Sequence, residues 1–228
     1  MAPSSRALRG LIVSCQARDD NPLHGPVHMA AMARAAEAGG AAALRANGAA
    51  DIAAIRAAST LPVVGIAKRW REGFDVYITP GFTDAAAAAQ AGADWIALDA
   101  TPRSRDGEPV ASLIGRIRRE LAKPVFADVS TAEEGLAAAR AGADAVATTL
   151  AGYTPYSRPA SGGPDFELIR ELVAAVDVPV IAEGRFWSPE EVARAFALGA
   201  QAVVVGTAIT NPREITRRFA RAVPGAAR

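Results

Sequence analysis

One pattern constrains this chain more than any other. Short β-branched runs bounded by Pro or Gly recur eight times, with helix-forming stretches between them. The runs are Leu11–Gln16, Ala43–Asn47, Val63–Lys68, Trp95–Asp99, Val125–Val129, Ala145–Leu150, Val180–Glu183 and Val203–Thr207. Apolar runs this short read as parallel strands covered on both faces. Between them, Met29–Ala38, Asp84–Ala91, Ala111–Leu121, Ala132–Ala141, Phe166–Val176 and Pro189–Leu198 read as helices. Two of these carry start signals: Ser130 or Thr131 before Glu133-Glu134, and Ser188-Pro189-Glu190-Glu191.

Two internal echoes reinforce the pattern. Ala91-Gly92-Ala93-Asp94, Ala141-Gly142-Ala143-Asp144 and Leu198-Gly199-Ala200-Gln201 each close a helix on a glycine free to take positive φ. Leu61-Pro62-Val63, Lys123-Pro124-Val125 and Val178-Pro179-Val180 each open a strand on a proline, where no N–H is needed. Repeated βα units filling 228 residues predict a single α/β domain, a (β/α)8 TIM barrel near the short end of its size range. Residues 1–9 and 223–228 are expected as loose termini. A doubly wound open sheet is the competing fold, but no G-x-G-x-x-G follows the first strand. Alanine, about a quarter of the residues, suits helices packed closely around a barrel.

The charge balance excludes some partners. A formal net charge of +1 argues against nucleic acid as the main ligand. No window approaches the roughly 18 consecutive apolar residues of a membrane span, and Leu11–Val13 is too short for a signal-peptide core. A cytoplasmic protein is expected, and its lone Cys15 cannot form an intramolecular disulfide.

In a parallel barrel, chemistry collects at the C-terminal ends of the strands, and strand parity selects the side chains that point inward. Counted from the strand-opening prolines, Lys68, Asp128 and Glu183 all fall at even offsets and share one face. Gln16 closes the first strand, Arg45 ends the second and Asp99 the fourth, so a ring of charge is expected at one mouth. Burying that many charges is costly unless they are paired or functional. A lysine there is a proton shuttle or a Schiff-base nucleophile. Gly184 and Gly206-Thr207, after the last two strands, allow backbone amides to approach a phosphate. Tyr153 and Tyr156 are placed to pack over a sugar. Cys15 is expected to face the helices and be inert. His24 and His28 lack a third ligand, so no metal is expected, and Arg103 and Arg105 read as solvated loop charges.

These residues resemble the N-acetylmannosamine-6-phosphate 2-epimerase family. The matching segments include Leu11-Ile-Val-Ser-Cys-Gln-Ala17, Pro22-Leu-His-Gly-Pro26, Leu44-Arg-Ala-Asn47, Asp75-Val-Tyr-Ile-Thr-Pro80, Ala97-Leu-Asp-Ala-Thr101 and Ala127-Asp-Val-Ser-Thr131. Gly152-Tyr-Thr154, Pro164-Asp-Phe-Glu-Leu168, Ile181-Ala-Glu-Gly-Arg185 and Val205-Gly-Thr-Ala-Ile-Thr210 complete the set. The resemblance implies a phosphate-binding (β/α)8 barrel. As an isomerase without a cofactor, it would interconvert the 6-phosphates of N-acetylmannosamine and N-acetylglucosamine in amino-sugar and sialic acid breakdown. It further implies that Lys68 is catalytic with Glu183 as its partner, and that Gln16, Arg45 and Asp128 contact the sugar. Three positions depart from the family pattern. Trp187 replaces a smaller polar residue, Pro102 interrupts a basic stretch, and Asn211 stands for a frequent arginine. The last leaves phosphate to the backbone amides and Arg185. The alternatives are a Schiff-base aldolase on the same barrel and a non-catalytic sugar-phosphate binder. A homodimer is left open.

Overall fold

The computed structural model describes residues 8–224. Eight parallel strands close a barrel in chain order. They are β1 Gly10–Cys15, β2 Ala43–Asn47, β3 Val63–Ile66, β4 Trp95–Asp99, β5 Val125–Asp128, β6 Ala145–Ala147, β7 Val180–Glu183 and β8 Ala202–Val205. β1 pairs with both β2 and β8, which leaves no open edge. The helices are α1 Pro26–Ala38, α2 Ala49–Ala58, α3 Phe82–Gln90, α4 Val110–Arg116, α5 Ala132–Arg140, α6 Phe166–Ala175, α7 Pro189–Ala197, α8 Thr207–Thr210 and α9 Pro212–Ala220. The (β/α)8 barrel expected from the strand count is the observed fold. No helix among the described residues is long and apolar enough to cross a membrane.

The repeated sequence signals act where they stand. Gly92, Gly142 and Gly199 end α3, α5 and α7 with φ of 103°, 100° and 101°. Pro62, Pro124 and Pro179 stand just before β3, β5 and β7, where their carbonyls accept from the amides of Leu44, Ile96 and Val146. Thr131 and Ser188 each close a capping box, with Glu134 and Glu191 as the reciprocating carboxylates.

The core has two layers separated by the strands. Ile12, Val64, Trp95, Phe126, Ile181 and Val204 alternate inward and fill the barrel. The opposite faces, with Val13, Leu44, Ile96 and Val146, meet the helices. Buried alanines such as Ala33, Ala85, Ala88 and Ala138 let those helices approach closely. At Gly65 the approach is also close, since an added Cβ would lie 2.6 Å from that of Ala93.

Several boundaries differ from the sequence reading. α2 fell between predicted elements, α8 begins at the last residue of the predicted eighth strand, and α9 follows it. β6 stops at Ala147, and Thr148–Leu150 forms a 3-10 turn. There the Thr148 hydroxyl donates to the Glu183 carbonyl and accepts from the Glu183 amide, both at 2.9 Å, in place of a further main-chain rung. β3 stops at Ile66, two residues before Lys68. Leu8, expected in a loose terminus, is buried, and its carbonyl accepts from Gln201 Nε2 at 3.0 Å. Residues 1–7 and 225–228 of the expected loose termini lie outside the described residues.

Candidate active site

The strand alternation that sends Ala43 into the barrel also sends Arg45 there, one layer nearer the C-terminal mouth. Arg45 is buried, with its guanidinium carbon 5.1 Å from the centre of the Phe126 ring. It forks onto Asp128, with Nη2 2.6 Å from Oδ2 and Nη1 3.0 Å from Oδ1. The same Nη1 reaches Glu183 Oε2 at 2.6 Å. Thr149, just past β6, adds a 2.5 Å donor to Asp128 Oδ1. One guanidinium therefore serves two carboxylates from β5 and β7. Burial works against the Arg45 charge, but Asp128 and Glu183 outweigh it and the pKa is raised.

Sharing one cation leaves a surplus of negative charge, and Glu183 reflects it. Burial pushes its carboxyl up to about 7; Arg45 opposes the rise and Asp128 adds to it. Lys68 is displaced the other way. Burial lowers its amine to about 8, Arg45 acts in the same sense, and Glu183 opposes. Lys68 forms no ion pair among the described residues, because Arg45 takes both carboxylates. The mouth thus holds an amine and a carboxyl brought close to neutrality from opposite ends of the pH scale.

Gln16 lies just past β1 and donates from Nε2 to Ser14 Oγ at 2.8 Å. Gln16 Oε1 and Arg45 Nε are buried and have no hydrogen-bond partner among the described residues. Asp99 does not join the charged ring in the way the sequence suggested. It is fully buried and needs local neutralisation, which comes from Arg103 at 2.5 Å and from the Thr101 hydroxyl at 2.6 Å. Arg105 donates to the Asp99 carbonyl at 2.6 Å. Arg103 and Arg105 are accordingly half-buried structural groups and not solvated loop charges. Cys15 faces the helix layer, where burial raises its thiol to about 12.

After β7 and β8, the amides of Gly184, Arg185 and Thr207 donate to no backbone carbonyl among the described residues. Gly184 and Arg185 both have positive φ, 113° and 59°, and Gly206 begins the single turn of α8. The Arg185 side chain is committed elsewhere: Nε donates to the Gly163 carbonyl at 2.7 Å and Nη1 to that of Ala151 at 2.6 Å. Tyr153 lies under that guanidinium, 5.4 Å from ring centre to carbon, while the Tyr156 hydroxyl donates to Glu134 at 2.7 Å. Asn211 caps α9 and accepts from Asn21 Nδ2 at 3.2 Å. Trp187 lies beneath the Arg218 guanidinium.

Sequence reasoning missed four contributors: Asn47, Thr79, Thr148 and Thr149. Asn47 shares the inward parity of Arg45, a signal that was available. Thr148 and Thr149 act through hydroxyls just past β6, where no motif distinguishes them, while Thr79 lies within the Asp75–Pro80 segment and acts between β3 and β4.

Fold and site together define a (β/α)8 barrel whose C-terminal mouth holds a buried cluster of titratable side chains. Residues 29–225 match the NanE family model, described as "Putative N-acetylmannosamine-6-phosphate epimerase". Relatives bearing that name as a 2-epimerase occur in Caldanaerobacter subterraneus subsp. tengcongensis and Cutibacterium acnes. The first is 52% identical over 92% of this chain and 89% of its own; the second is 51% identical over 92% of each. The solved N-acetylmannosamine-6-phosphate 2-epimerase from Clostridium perfringens superposes with a TM-score of 0.91 at 47% identity, covering 94% of this chain and 93% of that one. A thiamine phosphate pyrophosphorylase from Pyrococcus furiosus, 18% identical with a TM-score of 0.59, shares the fold alone. The chain belongs to the N-acetylmannosamine-6-phosphate epimerase family and so falls among the isomerases of carbohydrate derivatives.

Proposed function

We propose that this chain interconverts N-acetylmannosamine 6-phosphate and N-acetylglucosamine 6-phosphate by removing and returning the proton at C2. The observation that carries this reading is the buried mouth in which Arg45 bridges Asp128 and Glu183 and Lys68 is left without an ion pair among the described residues, its amine lowered to about 8 and the Glu183 carboxyl raised to about 7. The forms Lys68-H⁺/Glu183⁻ and Lys68/Glu183-H carry the same total charge. The opposite shifts of the two groups bring these forms closer in free energy than they are in water. A proton moves between such groups through a substrate at little cost, as acid–base catalysis near neutral pH requires.

The C2 proton is acidic only while C1 is a carbonyl, so the open-chain sugar is the reacting form. Lys68 Nζ takes the proton, and the C–H electron pair becomes the C1=C2 bond of an enolate with its charge on O1. Return of a proton to the other face of C2 gives the epimer. Glu183 assists that transfer and tunes the lysine. Arg45 holds Glu183 and Asp128 in place, and Asp128 and Gln16 Oε1 accept from the sugar or its amide. Tyr153 borders the sugar. Phosphate is held by the backbone amides at Gly184, Arg185, Gly206 and Thr207. The Arg185 side chain, already bound to two carbonyls, braces that loop. The proposed setting is the cytoplasm, and the proposed assembly is a homodimer.

The test is NMR of N-acetylmannosamine 6-phosphate with the enzyme in deuterated buffer. The expected result is N-acetylglucosamine 6-phosphate carrying deuterium at C2. Carbon–carbon cleavage, or covalent trapping by borohydride in the presence of substrate, would instead identify the Schiff-base aldolase. Binding with no conversion would identify a sugar-phosphate binder.

A further inference from the structure

Like the β6–β7 ladder, the β3–β4 ladder is short, with only Val64↔Trp95 and Gly65↔Ile96 in register. Just beyond it, the strands are joined by a side chain. Thr79 Oγ1 accepts from the Ala67 amide at 3.1 Å and donates to the Ala97 carbonyl at 2.6 Å. Its hydroxyl occupies the place of the next rung and completes the β3–β4 contact by a longer path. Thr79 is fully buried with φ of 45°. That is a costly conformation for a β-branched residue, and it persists only where the surroundings over-determine it.

The next amide along, that of Lys68, is held from the opposite side. It donates to Asn47 Oδ1 at 2.8 Å, reaching across from the end of β2. Lys68 itself forms an antiparallel bridge with Ile78. This bridge is flanked by Thr79 N donating to Ala67 O at 2.9 Å and Arg69 N donating to Tyr77 O at 2.8 Å. Trp70 and Tyr77 stack across the outer end of this ribbon with ring centres 5.2 Å apart. Arg71 ties the ribbon to Asp84 and Asp106. The chain therefore leaves the barrel at Ala67, carries Lys68 on a two-stranded ribbon over the mouth and re-enters at Thr79.

We propose that Asn47 and Thr79 are positioning residues that clamp the backbone on either side of the Lys68 amide and so set where its amine meets the substrate. This rests on the lysine mechanism proposed above. Neither side chain has to touch the sugar to matter, because a displacement of about 1 Å in a reacting group can cost about 100-fold in rate.

The test combines Asn47→Ala, Thr79→Val, Thr79→Ser and Lys68→Ala in the full chain. Asn47→Ala and Thr79→Val should each lower kcat about 10- to 100-fold, with KM changed less than about twofold. Thr79→Ser, which keeps the hydroxyl, should recover most of the activity lost in Thr79→Val. The limb of kcat that rises with pH, set by Lys68 losing its proton, should move upward in both damaged variants as the amine gains access to water. A merely structural role would lower folded yield and leave that limb in place. If Thr79→Val does not fold, Asn47→Ala decides by the same readouts. Wild-type kcat and pH profile in folded Asn47→Ala, with Lys68→Ala inactive, would overturn this proposal and leave the lysine mechanism standing. Full turnover by Lys68→Ala would overturn both.

Discussion

Lys68 illustrates how a site residue works against the fold that holds it. Its amine titrates near 8 in the folded protein, against 10.5 when unperturbed. Between those values the unfolded chain binds more protons than the native one, so stability rises with pH across that window. Below about pH 8 the buried cation is only partly offset by Glu183 and Asp128, since Arg45 forms the direct ion pairs with both carboxylates and itself repels the amine. Lys68→Met keeps the length of the side chain and removes the charge. It should abolish turnover yet raise stability at pH 7 by up to about 3 kcal/mol, a gain that fades as the pH approaches 10.5. Urea unfolding at pH 7 and pH 10 checks this; equal stability of the two proteins at pH 7 would contradict it. At this scale the sequence was informative where parity applies. Arg45, Asp128 and Glu183 meet because their strands alternate in step. It was less informative for Asp99, which was placed in the charged ring because it ends a strand, while its partner, Arg103, sits in a loop whose path no periodicity describes.

At the scale of elements, the signals that proved readable were those enforced by backbone geometry. A capping box, a strand-opening proline and a helix-ending glycine each solve a local hydrogen-bond or φ problem, so they appear in the sequence wherever the problem occurs. β3 and β6 ended earlier than expected for the opposite reason. Their last apolar residues continue, but the hydroxyls of Thr79 and Thr148 replace the ladder, and both interactions span distant segments. Gly65 belongs to this scale too. It lets Ala93 and Ile52, from the flanking helical layer, press on the middle of β3. Gly65→Ala should destabilise the barrel by about 1–3 kcal/mol through overpacking, because the contact at 2.6 Å is with a Cβ fixed to its own backbone. Chemical denaturation measures the loss. By contrast, Gly135→Ala meets the flexible end of Leu172 and should cost less.

On the scale of the whole molecule, α9 is the element that the single chain leaves unexplained. Among the described residues it buries none of its own, and its main contacts are with α8. Ile215 and Phe219 stand four residues apart on one face of α9; Phe219 is 74% exposed, and Val223, in the turn after the helix, is 59% exposed. Meanwhile, an apolar hollow of about 480 Å³ opens outside β1, lined by Leu11, Leu23, Met32, Ala36 and Ile209 among others. An unpartnered apolar helix face and an uncovered apolar hollow on the same molecule are what two copies can satisfy for each other around a two-fold axis. Burying a phenylalanine and two aliphatic side chains per copy is worth about 1.5–3 kcal/mol for each side chain, before the cost of association. The expected species in sedimentation equilibrium is therefore a dimer of the 23.5 kDa chain. Phe219→Glu should shift it to monomer while leaving the barrel folded, since Phe219 is 74% exposed. A wild-type protein that sediments as a monomer at about 10 μM would contradict this assembly.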